Sequence, residues 1–295
     1  MTGKQRLAVG WALLAAMLYA ISTPVSKVLL KEIPATMMAA FLYLGAGIGM
    51  GIIGIIRRQS GQAKKQEPLT RAELPFVVGM VVLDIAAPVL LMLGLTMTTA
   101  ENASLLNNFE IVATSLIALL VFHEQIDRRL WLAIGLITLS SIILSIEGKG
   151  SFSFSTGSLF VLGACVCWGF ENNCTRMLSV KDSLQVVVIK GFGSGTGSLL
   201  IALALGERVG QVWYVLGAMA LGFVAYGLSI FFYVCAQREL GAARTSAYYA
   251  VAPFIGVALS WMLFQEQPGI WFMTALALMI VGTFLASVPQ KSRAV

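Results

Sequence analysis

The chain is built from charge-free apolar blocks about as long as a bilayer is thick, and no other feature of the sequence constrains its fold so strongly. They run from Leu7 to Ser26, Ile33 to Ile56, Leu130 to Ile146, Gly150 to Phe170, Val209 to Gln237, Thr245 to Gln265 and Gln267 to Gln290. Each approaches or exceeds the roughly 20 residues that a helix needs to cross the hydrocarbon core. Three further apolar stretches carry one internal charge each: Asp84 in the stretch from Leu74, Glu110 in that from Asn102, and Lys190 in that from Ser183. A helix satisfies its own backbone in lipid, and these blocks lack the alternation of a membrane barrel. The expected fold is an all-α integral membrane protein of ten transmembrane helices. Composition agrees, since 58% of the 295 residues are apolar and 12% charged, where soluble domains carry about 25% charged residues.

Basic residues set the expected orientation. Lys4, Arg6, Arg57, Arg58, Lys64, Lys65, Arg71, Arg128, Arg129, Arg176, Lys181, Arg238, Arg244, Lys291 and Arg293 fall on one side of the ten-helix arrangement, and Lys27, Lys31, Lys149 and Arg208 on the other. The positive-inside rule then places both termini in the cytoplasm. The first segment is too long for a signal peptide and lacks a clear cleavage site, so it is expected as a retained helix. The net charge of +6 fits basic loops facing anionic lipid, and no nucleic-acid partner is expected.

The two halves resemble each other. Phe122-His123-Glu124-Gln125 recurs as Phe264-Gln265-Glu266-Gln267, Ala100 and Ser104 recur as Ala242 and Ser246, and Gly45, Gly47, Gly49 and Gly51 recur as Gly191, Gly193, Gly195 and Gly197. Tyr19-Ala20-Ile21 through Lys27 matches Trp168-Gly169-Phe170 through Arg176 in residue type. A tandem copy of a five-helix unit enters the membrane from the opposite side, so residues 1–148 and 149–295 are expected to form two inverted repeats, an arrangement characteristic of secondary transporters.

The motifs themselves resemble those of a known family. Ala100 to Leu106, Glu110-Ile111 and Glu124 in the first half, and Ala243 with Ser246, Ala252-Pro253 and Glu266 in the second, are similar to the EamA repeats of the drug/metabolite transporter superfamily. Within it the chain looks most like the aromatic amino acid exporters of the bacterial inner membrane, the YddG group. That resemblance implies export of Phe, Tyr and Trp, with other amino acids or paraquat-type cations as further cargo. One departure is that Ile111 stands where the second half has Pro253, so a helix break supplied by that proline is expected to be missing from the first half.

The Gly-x-Gly ladders follow no strand and carry no phosphate-loop lysine, which argues against nucleotide binding. Gly45 and Gly49, and Gly191 and Gly195, instead let helix backbones approach closely, as a mobile pair or as a static seam. Charges at bilayer depth are costly, so Asp84, Glu110, Glu171 and Lys190 are expected to face a polar cavity or one another. Lys190 is also near enough to its helix start to snorkel, which is the expectation for Lys27 and Arg176. Glu124 and Glu266 are expected to anchor helix ends.

Candidate cavity residues follow from polar groups that lipid would not tolerate. Asp84 stands one turn before Pro88, and Asn102, Asn107, Asn108 and Glu110 cluster on the fourth span. Ser22 and Pro24 in the first span, with Glu171 and Asn172 at the matching place in the sixth, add a second polar pair. Tyr19, Trp168, Tyr226, Tyr248 and Tyr249 offer aromatic faces to an aromatic or cationic cargo, or serve ordinary packing. Pro24, Pro88 and Pro253 are the candidate bending points. Asp84 or Glu110 is the candidate proton carrier if transport is proton-linked; facilitated diffusion needs neither. The single His123 and the spacing of Cys165, Cys167, Cys174 and Cys235 suggest no metal site, and neither a cofactor nor a disulfide is expected. A channel or an intramembrane enzyme is the more distant alternative.

Overall fold

The computed structural model describes residues 3–60, 69–122, 128–145, 155–178, 181–240, 245, 248–265 and 269–287. His123, Glu124, Gln125, Ser246, Glu266 and Gln267 lie outside the described residues. Among the described residues the fold is entirely helical. Gly3–Ala20 (α1) and Ser22–Leu29 (α2) form one apolar rod interrupted at Ile21; Ala35–Gln59 (α3) and Leu74–Met97 (α4) follow. Ala100–Leu106 (α5) and Phe109–Phe122 (α6) form a second interrupted rod, and Arg128–Ser145 (α7), Thr156–Leu178 (α8) and Ser183–Ala204 (α9) come next. Val212–Gly222 (α10) continues through a π-helical segment, Phe223–Leu228, into Ser229–Leu240 (α11), and Ala252–Phe264 (α12) and Ile270–Ser287 (α13) complete the described chain.

Among the described residues, six helical rods are long and apolar enough to cross a membrane: Gly3–Leu29, Ala35–Gln59, Arg71–Met97, Ala100–Val121, Ser183–Ala204 and Val212–Leu240. Trp131–Leu144, Ala252–Phe264 and Ile270–Leu285 are shorter apolar helices. The expected span from Gly150 to Phe170 is shifted: α8 begins at Thr156 and continues to Leu178, carrying Glu171 and Arg176 within it. The outer surface is hydrocarbon, with Met262 77% and Phe284 65% exposed. Only a lipid environment accommodates so large an apolar surface.

The interior is lined with small residues. Ala8, Ala12, Ala15, Ala16 and Ala20 are the buried positions of α1, which packs on α11, where the Ser229 hydroxyl donates to the Ala15 carbonyl at 2.8 Å. The glycine ladders meet across α3 and α9: a Cβ on Gly191 would stand 2.4 Å from the Gly47 Cα, and one on Gly195 would stand 2.7 Å from the Leu44 backbone nitrogen. Gly45 abuts the Met219 backbone and Gly49 the Phe223 ring. These glycines let whole helices touch without intervening side chains, which is how helices gain contact in lipid. The other principal pairs are α4 with α8, α7 with α13, α6 with α8 and α5 with α12.

Two sequence expectations are corrected by local structure. The rod formed by α5 and α6 breaks at Asn107 and Asn108 although no proline stands at Ile111. There the Cys165 thiol donates to the Leu106 carbonyl at 3.6 Å, so a side chain from α8 supports the interruption. Lys27 does not snorkel outward: its ammonium donates to the Leu95 carbonyl and, at 2.6 Å, to the Thr98 carbonyl at the end of α4. Those carbonyls have no intrahelical donors, and the negative end of the helix dipole favours a cation there. Arg176 is exposed.

Candidate functional site

Lys190 stands at the centre of a buried ion cluster. Its Nζ lies 3.1 Å from Asp84 Oδ2 and 3.0 Å from Glu171 Oε1, joining α9 to α4 and α8. Asp84 is fully buried, Glu171 is 1% exposed and Lys190 5% exposed. The lysine therefore turns inward rather than reaching the interface. Two carboxylates around one ammonium repay part of the desolvation each ion suffers at this depth. Tyr43 on α3 donates to Asp84 Oδ1 at 3.0 Å, and the Thr175 hydroxyl donates to Glu171 one turn along α8. A third carboxylate joins the same region through Asn172, whose amide donates to Glu110 Oε1 at 2.5 Å.

A cluster of tyrosines leads from this centre toward α1 and α12. The Tyr43 ring lies 5.1 Å from that of Tyr226, Tyr226 lies 5.8 Å from Tyr19, and Tyr19 lies 5.7 Å from Tyr249. Tyr233 continues the series at 4.9 Å from Tyr249. The Ser22 hydroxyl donates to the Tyr226 hydroxyl at 3.3 Å. Tyr226 belongs to the π-helical segment, a local widening of the helix that occurs often at functional positions.

Tyr19, Ala20, Thr23, Ser104, Asn107, Ala252, Pro253 and Gly256 surround a small crevice where α1, α2, α5 and α12 meet. All three helical rods are irregular here. The first breaks at Ile21, the second at Asn107 and Asn108, and α12 begins with Pro253 in its first turn. Pro24 has no N–H to give to the Ala20 carbonyl four residues before it.

Of the residues singled out in the sequence, Asp84 and Glu171 meet in the ion cluster, Glu110 meets Asn172, and Tyr19, Ser22, Tyr226 and Tyr249 fall in the aromatic series. Asn107 and Pro253 line the crevice with Tyr19. Trp168 and Asn108 are buried, and Asn102 and Tyr248 are half-buried. Pro88 lies within the unbroken α4, and Pro24 lies in the first turn of α2. Lys190, expected from its charge either to face these groups or to snorkel, meets Asp84 and Glu171; Tyr43, Ser104 and Gly256 were not among the cavity candidates. Ser104 entered only as a residue of the repeated motif, and Tyr43 and Gly256 carry no polar or charge signal that sets them apart in apolar helices.

The EamA-like transporter family matches the chain twice, over residues 6–146 and 155–288. An uncharacterized transporter of Methanothermobacter thermautotrophicus is 26% identical over 287 residues, which cover 92% of this chain and 83% of that protein. The uncharacterized transporter YyaM of Bacillus subtilis is 21% identical over 233 residues, 76% of each chain. A solved crystal structure superposes with a TM-score of 0.68 at 18% identity, covering 95% of both chains, a likeness of fold. This multi-pass membrane protein belongs to the EamA-like transporter family.

Proposed function

We propose that the protein is a bacterial inner-membrane secondary transporter that exports amino acids, aromatic ones (Phe, Tyr, Trp) first. It works by alternating access between two inverted five-helix repeats, residues 1–148 and 149–295. The observation that carries this reading is the Asp84–Lys190–Glu171 cluster beside a series of tyrosine rings packed at tilted and edge-on angles. Such a centre offers charge and aromatic side chains at bilayer depth to a charged aromatic solute. The double family match supports the repeats. So does the pairing of helices: α3 packs on its counterpart α9, α7 on its counterpart α13, and the pair α4 with α8 corresponds to α11 with α1. That is the pattern expected of a two-fold axis in the membrane plane.

Proton coupling through Asp84 or Glu110 completes the proposal. Asp84, Glu171 and Glu110 outnumber Lys190 at bilayer depth, and a proton taken up by one carboxylate would relieve the surplus of negative charge. The same surplus favours a second reading, export of organic cations. Counterflow of labelled phenylalanine in proteoliposomes tests both, with unlabelled amino acids and organic cations as competitors. Saturable counterflow suppressed by amino acids supports the first reading. Its absence in vesicles containing folded protein sinks phenylalanine carriage, and suppression by organic cations alone moves the assignment to the second.

A further inference from the structure

The crevice between α1, α2, α5 and α12 holds oxygen atoms that have nothing to bind. Ser104 and Asn107 line it, and Ser104 Oγ and Asn107 Oδ1 are buried and have no hydrogen-bond partner. The Ala20 carbonyl, deprived of its helical donor by Pro24, faces the same space: a Cβ built on Gly256 would lie 3.4 Å from that oxygen and 2.9 Å from Ser104 Oγ. Gly256 therefore keeps open the volume that both oxygens share. One turn along α5 from Ser104, on the same helix face, Glu101 is 4% exposed and neither of its carboxylate oxygens has a hydrogen-bond partner. Residues three apart share a helix face, so that carboxylate and Ser104 belong to one polar strip. The nearby Lys27 ammonium is held by the Leu95 and Thr98 carbonyls.

Buried polar atoms without partners are rare in stable proteins because each costs free energy that a partner would recover. The unpartnered side-chain oxygens at the crevice and on Glu101 are acceptors. The Ala20 carbonyl, the Asn107 carbonyl oxygen and the Glu101 carboxylate only accept hydrogen bonds, and the Ser104 hydroxyl can accept as well. The ligand they fit is a compact hydrogen-bond donor with positive charge. An ammonium group supplies three donors and one charge, and the Tyr19 ring on the crevice wall offers a face suited to a cation.

We propose that this crevice is the subsite for the ammonium group of the transported molecule, so that a free primary amine is a requirement for binding. The inference rests on the amino-acid reading for which molecule brings the amine; the chemistry of the crevice stands on its own oxygens. An amide or hydroxyl in place of the amine gives fewer donors and no positive charge.

The test is the melting temperature of the purified full chain in detergent, titrated with phenethylamine, with 3-phenylpropionate, and with sodium chloride against choline chloride. Phenethylamine is expected to raise the melting temperature, and 3-phenylpropionate and sodium are expected to leave it unchanged. Ser104→Ala and Asn107→Ala are each expected to weaken the apparent affinity for phenethylamine about tenfold, the size of a lost hydrogen bond to a charged group. Gly256→Ala is expected to abolish the response by filling the space. Equal shifts from phenethylamine and 3-phenylpropionate, a sodium effect that replaces that of the amine, or an undiminished phenethylamine shift in folded Ser104→Ala would overturn the proposal. So would the absence of any phenethylamine shift. Phenylalanine counterflow without an amine requirement would overturn it while leaving the transport reading intact. An amine-dependent shift without phenylalanine counterflow would do the reverse.

Discussion

Lys190 is the residue on which the centre of the molecule depends electrostatically. Removing it leaves Asp84 and Glu171 facing each other with no cation between them, and an uncompensated buried charge is far more costly than the intact cluster is stabilising. Lys190→Met is therefore expected to lower stability by about 3 kcal/mol, read as a fall in melting temperature in detergent. Adding Asp84→Asn and Glu171→Gln to Lys190→Met is expected to recover most of the loss, because the charges that needed the lysine are then gone. A triple variant no more stable than the single one would show that the lysine acts through packing instead. Tyr43→Phe makes a finer probe, removing only the hydroxyl that donates to Asp84; a loss of about 1.5 kcal/mol is expected for a hydrogen bond to a charged acceptor. The sequence made the depth of these ions legible because charge interrupts apolar blocks. It left open whether they face a cavity or one another, since Asp84, Glu171 and Lys190 lie on three different helices and a lysine near a helix start has a second outlet in snorkelling. Tyr43 carried no signal at all, being one aromatic residue in an apolar helix.

At the scale of the helices, the glycine ladders set how closely α3 and α9 approach. Gly191 meets backbone atoms of α3 rather than flexible side-chain ends, so a larger residue there forces the helices apart instead of repacking locally. Gly191→Leu is expected to cost about 3 kcal/mol, at the upper end of overpacking, or to prevent stable insertion. Gly135 on α7 provides the contrast, since a Cβ there meets nothing within 4 Å. Gly135→Ala is expected to leave the protein unchanged or to stabilise it by about 0.5 kcal/mol through helix propensity. Parallel melting curves of the two variants check the pair, and equal effects would show that the glycines act through backbone freedom rather than close contact. Hydropathy located most of the apolar helices because lipid exposure demands long uncharged runs. It did not locate the interruptions: the break at Asn107 and Asn108 has no proline, and the π-helical segment from Phe223 to Leu228 reads as unbroken apolar helix. Such features follow from contacts with neighbouring helices, as where Cys165 reaches the Leu106 carbonyl, and local sequence does not specify them.

For the whole molecule, the proposed mechanism requires that packed helices part and rejoin during each cycle. The α4–α8 contact is the most direct place to test this, because it extends from Gly79 beside Cys174 at one end to Met97 beside Gly157 at the other. A Cβ on Gly157 would stand 2.9 Å from the Met97 Cβ, somewhat inside the ~3.8 Å of a relaxed disulfide. A small separation of the helices therefore suffices to join them covalently. The experiment uses Met97→Cys with Gly157→Cys in a background where Cys165, Cys167, Cys174 and Cys235, all free thiols, are replaced by alanine. If the two repeats move against each other around a central site, the oxidised protein is expected to lose counterflow and to regain it on reduction. The reduced pair must first show counterflow of its own, so that the lock rather than the substitutions is measured. Full activity in protein shown to be cross-linked would mean that α4 and α8 travel together, and the moving boundary would then have to lie where α1 and α2 face α10 and α11. Loss of activity with recovery on reduction would place the moving boundary at the α4–α8 contact, beside the bonds between Lys27 and the end of α4.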